Sequence, residues 1–386
     1  MNSVVTALLC TVPWTLPPIV AAVRAKNSRS LDDVSATVGD DAPFVSVVVP
    51  ARNERRNIER CARSILSSEY PHFELIVVDD HSTDGTGEIA RAIATEDSRV
   101  RVIEADPLPP GWFGKQWACT NGARAARGAL VLFTDADTWH RDDLLPRAVN
   151  MLRARDADLL TLGGHQEMHS FWERVIQPQM FGMLALRYGG TEEVSSTRNP
   201  EAAIANGQFI LLRRSTYDEM GGHERVRDRV AEDLSMAQEW VRAGKRIVLV
   251  LAIEQFSTHM YASLGELVAG WRKNIFAGGR TAAMGGRVGR AVFPIALLSV
   301  PVIGLVPIVV LFASAIGLLG TPWLMWSAVS VAGSLVFWAG IYRVMREPIF
   351  NALLYPLGLV MLFYIASGSV ARGRRVEWKN RQYLSS

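Results

Sequence analysis

The chain has 386 residues, 49% of them hydrophobic and 20% charged, with a formal net charge of +3 at pH 7. So mild a charge, with no run of Arg and Lys interleaved with aromatics, argues against nucleic acid as a partner. Cys10, Cys61 and Cys119 lack C-x-x-C spacing, so neither a disulfide framework nor a thiolate zinc site follows, and a reducing, cytoplasmic location suits the polar part of the chain.

Residues 3 to 23 are apolar over about 20 positions, enough to cross a bilayer. With no basic n-region and no small-residue cleavage site, the stretch reads as an uncleaved anchor, and Pro13, Pro17 and Pro18 weaken the expectation of a straight helix. Arg24, Lys26 and Arg29 follow, which the positive-inside rule assigns to the cytoplasm. Residues 1–26 are therefore expected to be an anchor and 27–43 a polar linker.

From residue 44 the pattern alternates. Strands are expected at 45–50, 73–79, 99–104, 129–134 and 157–162, and helices at about 54–68, 85–95, 115–126 and 142–154. That rhythm predicts an α/β fold with a mixed, mostly parallel sheet flanked by helices, here assigned to residues 44–260. Asp84, with Glu88 four positions on, is an expected helix cap. Residues 170–190 have helical length and an aromatic-rich apolar face, fit either for a membrane surface or for packing on the sheet. An amphipathic, interfacial segment is expected within 261–290, carrying Trp271, Arg272, Lys273 and Phe276.

Apolar stretches 291–320, 322–342 and 349–371 are each long enough to span, making 291–386 a transmembrane region with a basic tail. Three full spans from the cytoplasm would strand Arg372, Arg374, Arg375, Lys379 and Arg381 outside, against the positive-inside rule. Pro301 and Pro307 leave open a re-entrant or interfacial first segment. The expected location is the cell inner membrane, multi-pass, with the polar body cytoplasmic.

Two apolar runs stop at carboxylates: Ile76-Val77-Val78-Asp79-Asp80 and Leu130-Val131-Leu132-Phe133-Thr134-Asp135-Ala136-Asp137. Buried parallel strands that end this way open into the cleft where α/β sheets bind ligands. A D-x-D pair can also hold a hard divalent cation that keeps positions for water and substrate phosphates. Metal-assisted transfer from a phosphorylated donor is the chemistry these residues point to. By contrast, His165 and His169 sit in H-Q-E-M-H, which is not the H-E-x-x-H metalloprotease pattern, and the preceding Gly163-Gly164 favours a loop.

In order and spacing, Val47-Val48-Val49-Pro50-Ala51-Arg52-Asn53-Glu54, the Asp79-Asp80-His81-Ser82-Thr83-Asp84 segment and Thr134-Asp135-Ala136-Asp137 resemble family 2 glycosyltransferases of the GT-A (Rossmann-like) fold, over about 45 to 280. The resemblance implies that Pro50, Arg52, Glu54, Asp79 and Asp80 line the base and ribose of a nucleotide-sugar, without saying which Asp touches the base. It implies Mg2+ or Mn2+ on Asp137 and Asp135, which would carry the donor diphosphate, and a phosphate-side role for Gly114 and Lys115, in the Gly114-Lys115-Gln116-Trp117-Ala118 segment. Glu232-Asp233 matches the family's E-D motif, with Asp233 as the base for an inverting transfer; Asn206-Gly207-Gln208-Phe209, Arg213-Arg214 and Gly221-Gly222-His223 resemble the acceptor-side stretch before it.

Where processive members carry Q-x-x-R-W, this chain has Gly270-Trp271-Arg272-Lys273-Asn274. That departure argues against polymer extrusion, and Arg272 or Lys273 is left to reach either the diphosphate or a lipid headgroup. Together with Leu108-Pro109-Pro110-Gly111-Trp112 and the late membrane region, the pattern resembles bacterial glycosyltransferases of hopanoid or carotenoid pathways. The expected activity is transfer of one sugar, from a UDP-sugar first of all, to a hydroxyl of a membrane lipid such as an isoprenoid, carotenoid, hopanoid or glycerolipid. A membrane polysaccharide synthase and a non-catalytic nucleotide-sugar-binding protein are the rivals. No feature points to a protein partner.

Overall fold

The computed structural model describes residues 3–373, 375–378 and 381–384. In chain order the elements are α1 Ser3–Leu9, α2 Val12–Ala25, β1 Val45–Ala51, α3 Ile58–Leu66, β2 Phe73–Asp79, α4 Thr86–Glu96, β3 Val100–Glu104, α5 Gly114–Ala125, β4 Leu130–Thr134, β5 Thr138–His140, α6 Leu144–Ala154, β6 Leu159–Gly163 and β7 His165–Gln166. Then come α7 Phe171–Tyr188, α8 Thr191–Ser196, β8 Phe209–Arg213, α9 Arg214–Glu219, α10 Glu232–Arg242, β9 Ile247–Leu251, β10 Phe256–Thr258, α11 Leu264–Ala282, α12 Gly286–Ala315, α13 Thr321–Val344, α14 Tyr355–Arg372 and a hairpin of β11 Arg375–Trp378 with β12 Arg381–Leu384. Arg374 and Lys379 of the expected basic tail lie outside the described residues.

The chain divides into two compact units. One comprises Ser28–Glu167, Thr191–Met260 and Arg374–Ser386. Its seven-stranded sheet has the order β3-β2-β1-β4-β8-β6-β9. All neighbouring pairs are parallel except those of β8, which runs antiparallel to both β4 and β6. Successive residues feed opposite faces, as strand geometry requires: Val47 and Val49 enter one apolar layer and Val48 the other, and likewise Leu132 and Phe133. Both faces are therefore buried, which is why these strands read as continuous apolar runs.

Helix α3 closes the first layer with Ile58, Cys61, Ala62 and Ile65, the i, i+3, i+4, i+7 stripe of an amphipathic helix. Across the sheet, α5 presents Ala118, Cys119 and Ala123 around Gly122, where an added Cβ would lie 2.3 Å from Val48 Cγ1. The helix thus approaches the sheet more closely than any larger residue allows. Pro50, within a central strand, lies beyond the last β1–β4 pair, Val48↔Phe133, so its missing N–H leaves no ladder bond unmade on that side. A second, three-stranded sheet, β5-β10-β7, follows the D-x-D turn.

The segment 28–43, expected as a linker, belongs to this unit. Leu31 is fully buried in the core, Ser30 caps a short turn there, and Ser30 bridges Leu251. Gly85, in the left-handed region at φ 96°, takes the N-cap of α4, while Asp84 just before it accepts the Thr86 N–H at 3.1 Å.

The other unit holds Met1–Asn27, Met168–Gly190 and Tyr261–Gly373. The expected single N-terminal anchor is two helices, α1 and α2, joined at Cys10 and Thr11. Pro13 opens the second helix, where a missing N–H costs nothing, and Pro17 and Pro18 lie inside it. Within this unit Val175, Ile176 and Met180 of helix α7 share an apolar cluster with Trp271, Trp338 and Leu362 of α11, α13 and α14.

Three helical stretches, Gly286–Ala315, Thr321–Val344 and Ile349–Arg372, are long and apolar enough to cross a membrane. The first runs unbroken as a helix through Pro294, Pro301 and Pro307. Their exposed apolar side chains, such as Ile295, Val309 and Phe312, suit a hydrocarbon surround.

Candidate active site

The first acidic cluster is knitted to the turn after β1. The Asp80 N–H donates to the Ala51 carbonyl at 2.8 Å, extending the parallel ladder past the end of β2. Asp79 Oδ1 accepts the Ser82 N–H at 3.0 Å, and Arg52 donates to the Asp80 backbone carbonyl while its guanidinium lies 3.7 Å from the Asp80 carboxylate. Asn53, at φ 54°, donates its N–H to Ser82 Oγ and accepts the Thr83 N–H on Oδ1. Glu54 donates its N–H to Thr86 Oγ1 and accepts from Asn57 Nδ2, both at 2.8 Å. Asp79 and Asp80 are 8% and 2% exposed, buried carboxylates at the carboxyl end of a strand. Gly87 makes room for one of them, since a Cβ there would come within 2.3 Å of Asp79 Oδ2.

Asp135 of the second cluster, the lysine after Gly114 and the E-D motif converge on one pocket, lined by Pro50, Lys115, Asp135, Gly207, His223, Glu232 and Asp233 among others. Lys115, in the first turn of α5, places Nζ 2.8 Å from Asp135 Oδ1 and 3.0 Å from Glu232 Oε1. The start of α5 is tied to the loop that leads into α10: the Phe113 N–H donates to the Arg227 carbonyl and Gln116 Nε2 to that of Arg229. Asp233, in the first turn of α10, accepts the Gly207 N–H on Oδ2 at 2.8 Å and the Leu234 N–H on Oδ1 at 2.7 Å.

These placements set the charge states. Burial works against the Lys115 ammonium, yet the nearby Asp135 and Glu232 carboxylates outweigh it and hold its pKa well above the ordinary lysine value. Burial, with the Glu232 charge beside it, raises Asp233 to about 6, against the pull of Lys115 and its two backbone donors. Burial, Asp135 and Glu54 push Asp137 up to about 8. His223 is driven down to about 4 by burial, with its Nδ1 2.9 Å from the Tyr217 hydroxyl, so it is neutral at pH 7.

Among the described residues no three His, Cys, Asp or Glu side chains converge as a complete metal cage. Asp137 Oδ1 is nonetheless buried with no hydrogen-bond partner among them, next to the Asp135 carboxylate whose charge raises its pKa. A divalent cation supplies what that arrangement lacks, with phosphate and water completing its shell, so Asp135 and Asp137 fit a hard metal ion.

Pro50, Arg52, Glu54, Asp79, Asp80, Gly114, Lys115, Asp135, Asp137, Glu232 and Asp233 all belong to the sheet-bearing unit. Arg272 and Lys273 belong to the other, on α11, where the Arg272 guanidinium lies 4.5 Å from the centre of the Tyr364 ring. Sequence reasoning gave Thr134 no role of its own and passed over Thr138 and His140. A period-2 reading of Thr138-Trp139-His140 would have put Thr138 and His140 on one strand face beneath the D-x-D turn.

A mostly parallel sheet with carboxylates at its strand ends and a smaller sheet after the D-x-D turn is the GT-A fold. It is shared with the mannosyltransferase from Pyrobaculum calidifontis solved with GDP-Man and Mn2+, at a TM-score of 0.60 and 19% identity over 96% of this chain and 98% of that one. Residues 46–221 match the model of glycosyl transferase family 2. The 4,4'-diaponeurosporenoate glycosyltransferase of Staphylococcus haemolyticus is 26% identical over 244 residues, covering 62% of this chain and 63% of that protein. Glycosyltransferase AglE of Haloferax volcanii is 35% identical over 127 residues, covering 32% of this chain and 40% of AglE. The matched part is less than two thirds of either relative's length.

Proposed function

We propose that this chain is an inverting, metal-dependent glycosyltransferase that moves one sugar from a nucleotide-sugar, a UDP-sugar first of all, to a hydroxyl of a membrane lipid. It would work at the inner membrane with its sheet-bearing unit in the cytoplasm. The carrying observation is Lys115 held between Asp135 and Glu232 in the pocket that also presents Asp233. Support for a nucleotide-sugar donor comes from the fold relative of Pyrobaculum calidifontis solved with GDP-Man and Mn2+. Support for a lipid acceptor comes from the three apolar helices and from a relative named for a carotenoid substrate.

In this reading Pro50, Arg52, Glu54, Asp79 and Asp80 hold the nucleoside, their carboxylates accepting from base N–H or ribose hydroxyl groups. Asp135 and Asp137 would hold Mg2+ or Mn2+, which offsets the charge gathering on the departing diphosphate. Lys115, at a helix N-terminus, adds a cation to the same phosphates. The acceptor oxygen forms its bond to the anomeric carbon on the face opposite the breaking bond to phosphate, and its proton passes to Asp233. A pKa of about 6 suits that base: it is ionised at pH 7 yet basic enough to take the proton.

The test is mass spectrometry of lipid extract incubated with the full chain and a panel of UDP-hexoses and UDP-hexuronates. A hexose or hexuronate increment on a lipid, lost in Asp137→Ala, is expected. Undiminished product from Asp137→Ala, or no glycosylated lipid with any donor, would overturn the reading.

A further inference from the structure

Beneath the D-x-D turn lies a closed polar cluster. Thr134 Oγ1, Thr138 Oγ1 and His140 Nε2 stand 3.1 Å apart in all three pairings, and each residue is at most 4% exposed. Each hydroxyl has one proton, and each is committed: Thr138 donates to the Asp135 carbonyl at 2.8 Å and Thr134 to the Gln208 carbonyl at 2.7 Å. Both oxygens must therefore accept from the ring, which makes His140 the Nε2–H tautomer, its one proton forked between two threonines. Phe256 packs edge-on against the ring with centroids 5.4 Å apart, and the backbone N–H of His140 donates to Ser64 Oγ at 3.1 Å.

The two carbonyls served by this fork belong to different parts of the site. Asp135 opens the turn that carries Asp137; Gln208 follows Gly207, whose N–H holds Asp233. We propose that His140 is a positioning residue, which through Thr134 and Thr138 fixes the Asp135–Asp137 turn against the Gly207-Gln208 segment before β8, whose Gly207 N–H holds Asp233. This rests on the reading of Asp135 and Asp137 as metal ligands, and outer-shell hydrogen bonds of this kind orient ligating carboxylates.

Binding of Mn2+ alone to the full chain in nanodiscs, read by the loss of the free-ion EPR signal, separates the two ideas without turnover. Wild type binds Mn2+; His140→Leu weakens it about tenfold or more, and His140→Gln, which keeps an N–H at similar reach, stays within about threefold of wild type. Thr138→Val and Thr138→Ser repeat the contrast at smaller volume change, should His140→Leu fail to fold. Equal binding by the folded apolar variants overturns the proposal, as does a polar variant as weak as its apolar counterpart. A wild type that binds no Mn2+ overturns the metal reading itself and the proposal with it.

Discussion

The Lys115 ammonium lies 2.8 Å from Asp135 and 3.0 Å from Glu232, joining the carboxylate pair after β4 to the E-D motif at the start of α10. One cation thus sits between the group suited to metal and the group beside the proposed base. It offsets repulsion among carboxylates that burial would otherwise drive to protonate.

Lys115→Ala should accordingly cost stability as well as donor binding. Removing one member of a buried ion pair leaves its partners uncompensated; with Lys115 25% exposed, a discounted loss of about 1–3 kcal/mol is expected. Denaturant midpoints measure it, and added Mn2+ should restore more stability to the variant than to wild type. A midpoint unchanged from wild type would show that the bridge contributes nothing.

Asp137 makes a pH-dependent prediction with a definite sign. Its carboxyl is raised from 3.8 to about 8 in the folded chain, so the native state keeps a proton that the unfolded state releases. The Asp137 contribution to metal-free stability should be greatest below about pH 4 and decline as pH rises toward 8. Asp137→Asn should remove this decline, being more stable than wild type at pH 8 without metal and losing that advantage toward pH 4. Thermal unfolding at a series of pH values, with and without Mn2+, checks it, and Mn2+ should stabilise wild type far more than the variant.

Two glycines separate packing from ligand binding. Gly122→Ala drives a methyl to 2.3 Å from Val48 Cγ1, and overpacking of this kind costs about 1–3 kcal/mol. Gly87→Ala instead drives one to 2.3 Å from Asp79 Oδ2. The first should lower the unfolding midpoint with UDP affinity intact in the folded protein, whereas the second should weaken UDP binding by calorimetry. Equal UDP affinity in Gly87→Ala and wild type would remove Asp79 from the donor site.

The residues that carry these predictions differ in how far sequence revealed them. Strands β1, β2 and β4 are apolar on both faces and stop at Pro50, Asp79 and Asp135, a local pattern that gives strand, burial and cleft together. Strand β8 has an equally apolar sequence, but its antiparallel place between β4 and β6 depends on pairing across the chain, which no local period encodes. Helix α7 misleads for another reason. Gln177 and Gln179, on different sides of the helix, are both fully buried, so polar residues there do not mark a solvent face. Thr138 and His140 were overlooked because their work is done through another residue's carbonyl, a role that residue type alone does not announce.

The most direct test of the account is kcat for sugar transfer by Asp233→Asn, measured beside UDP affinity and beside the pH profile of wild type. Loss of the base should lower kcat by about 10²–10⁴-fold with UDP affinity nearly unchanged. The wild-type kcat/KM should rise with pH through about 6 as Asp233 ionises. Transfer by Asp233→Asn at the wild-type rate would contradict the account, as would a loss of activity matched by an equal loss of UDP binding.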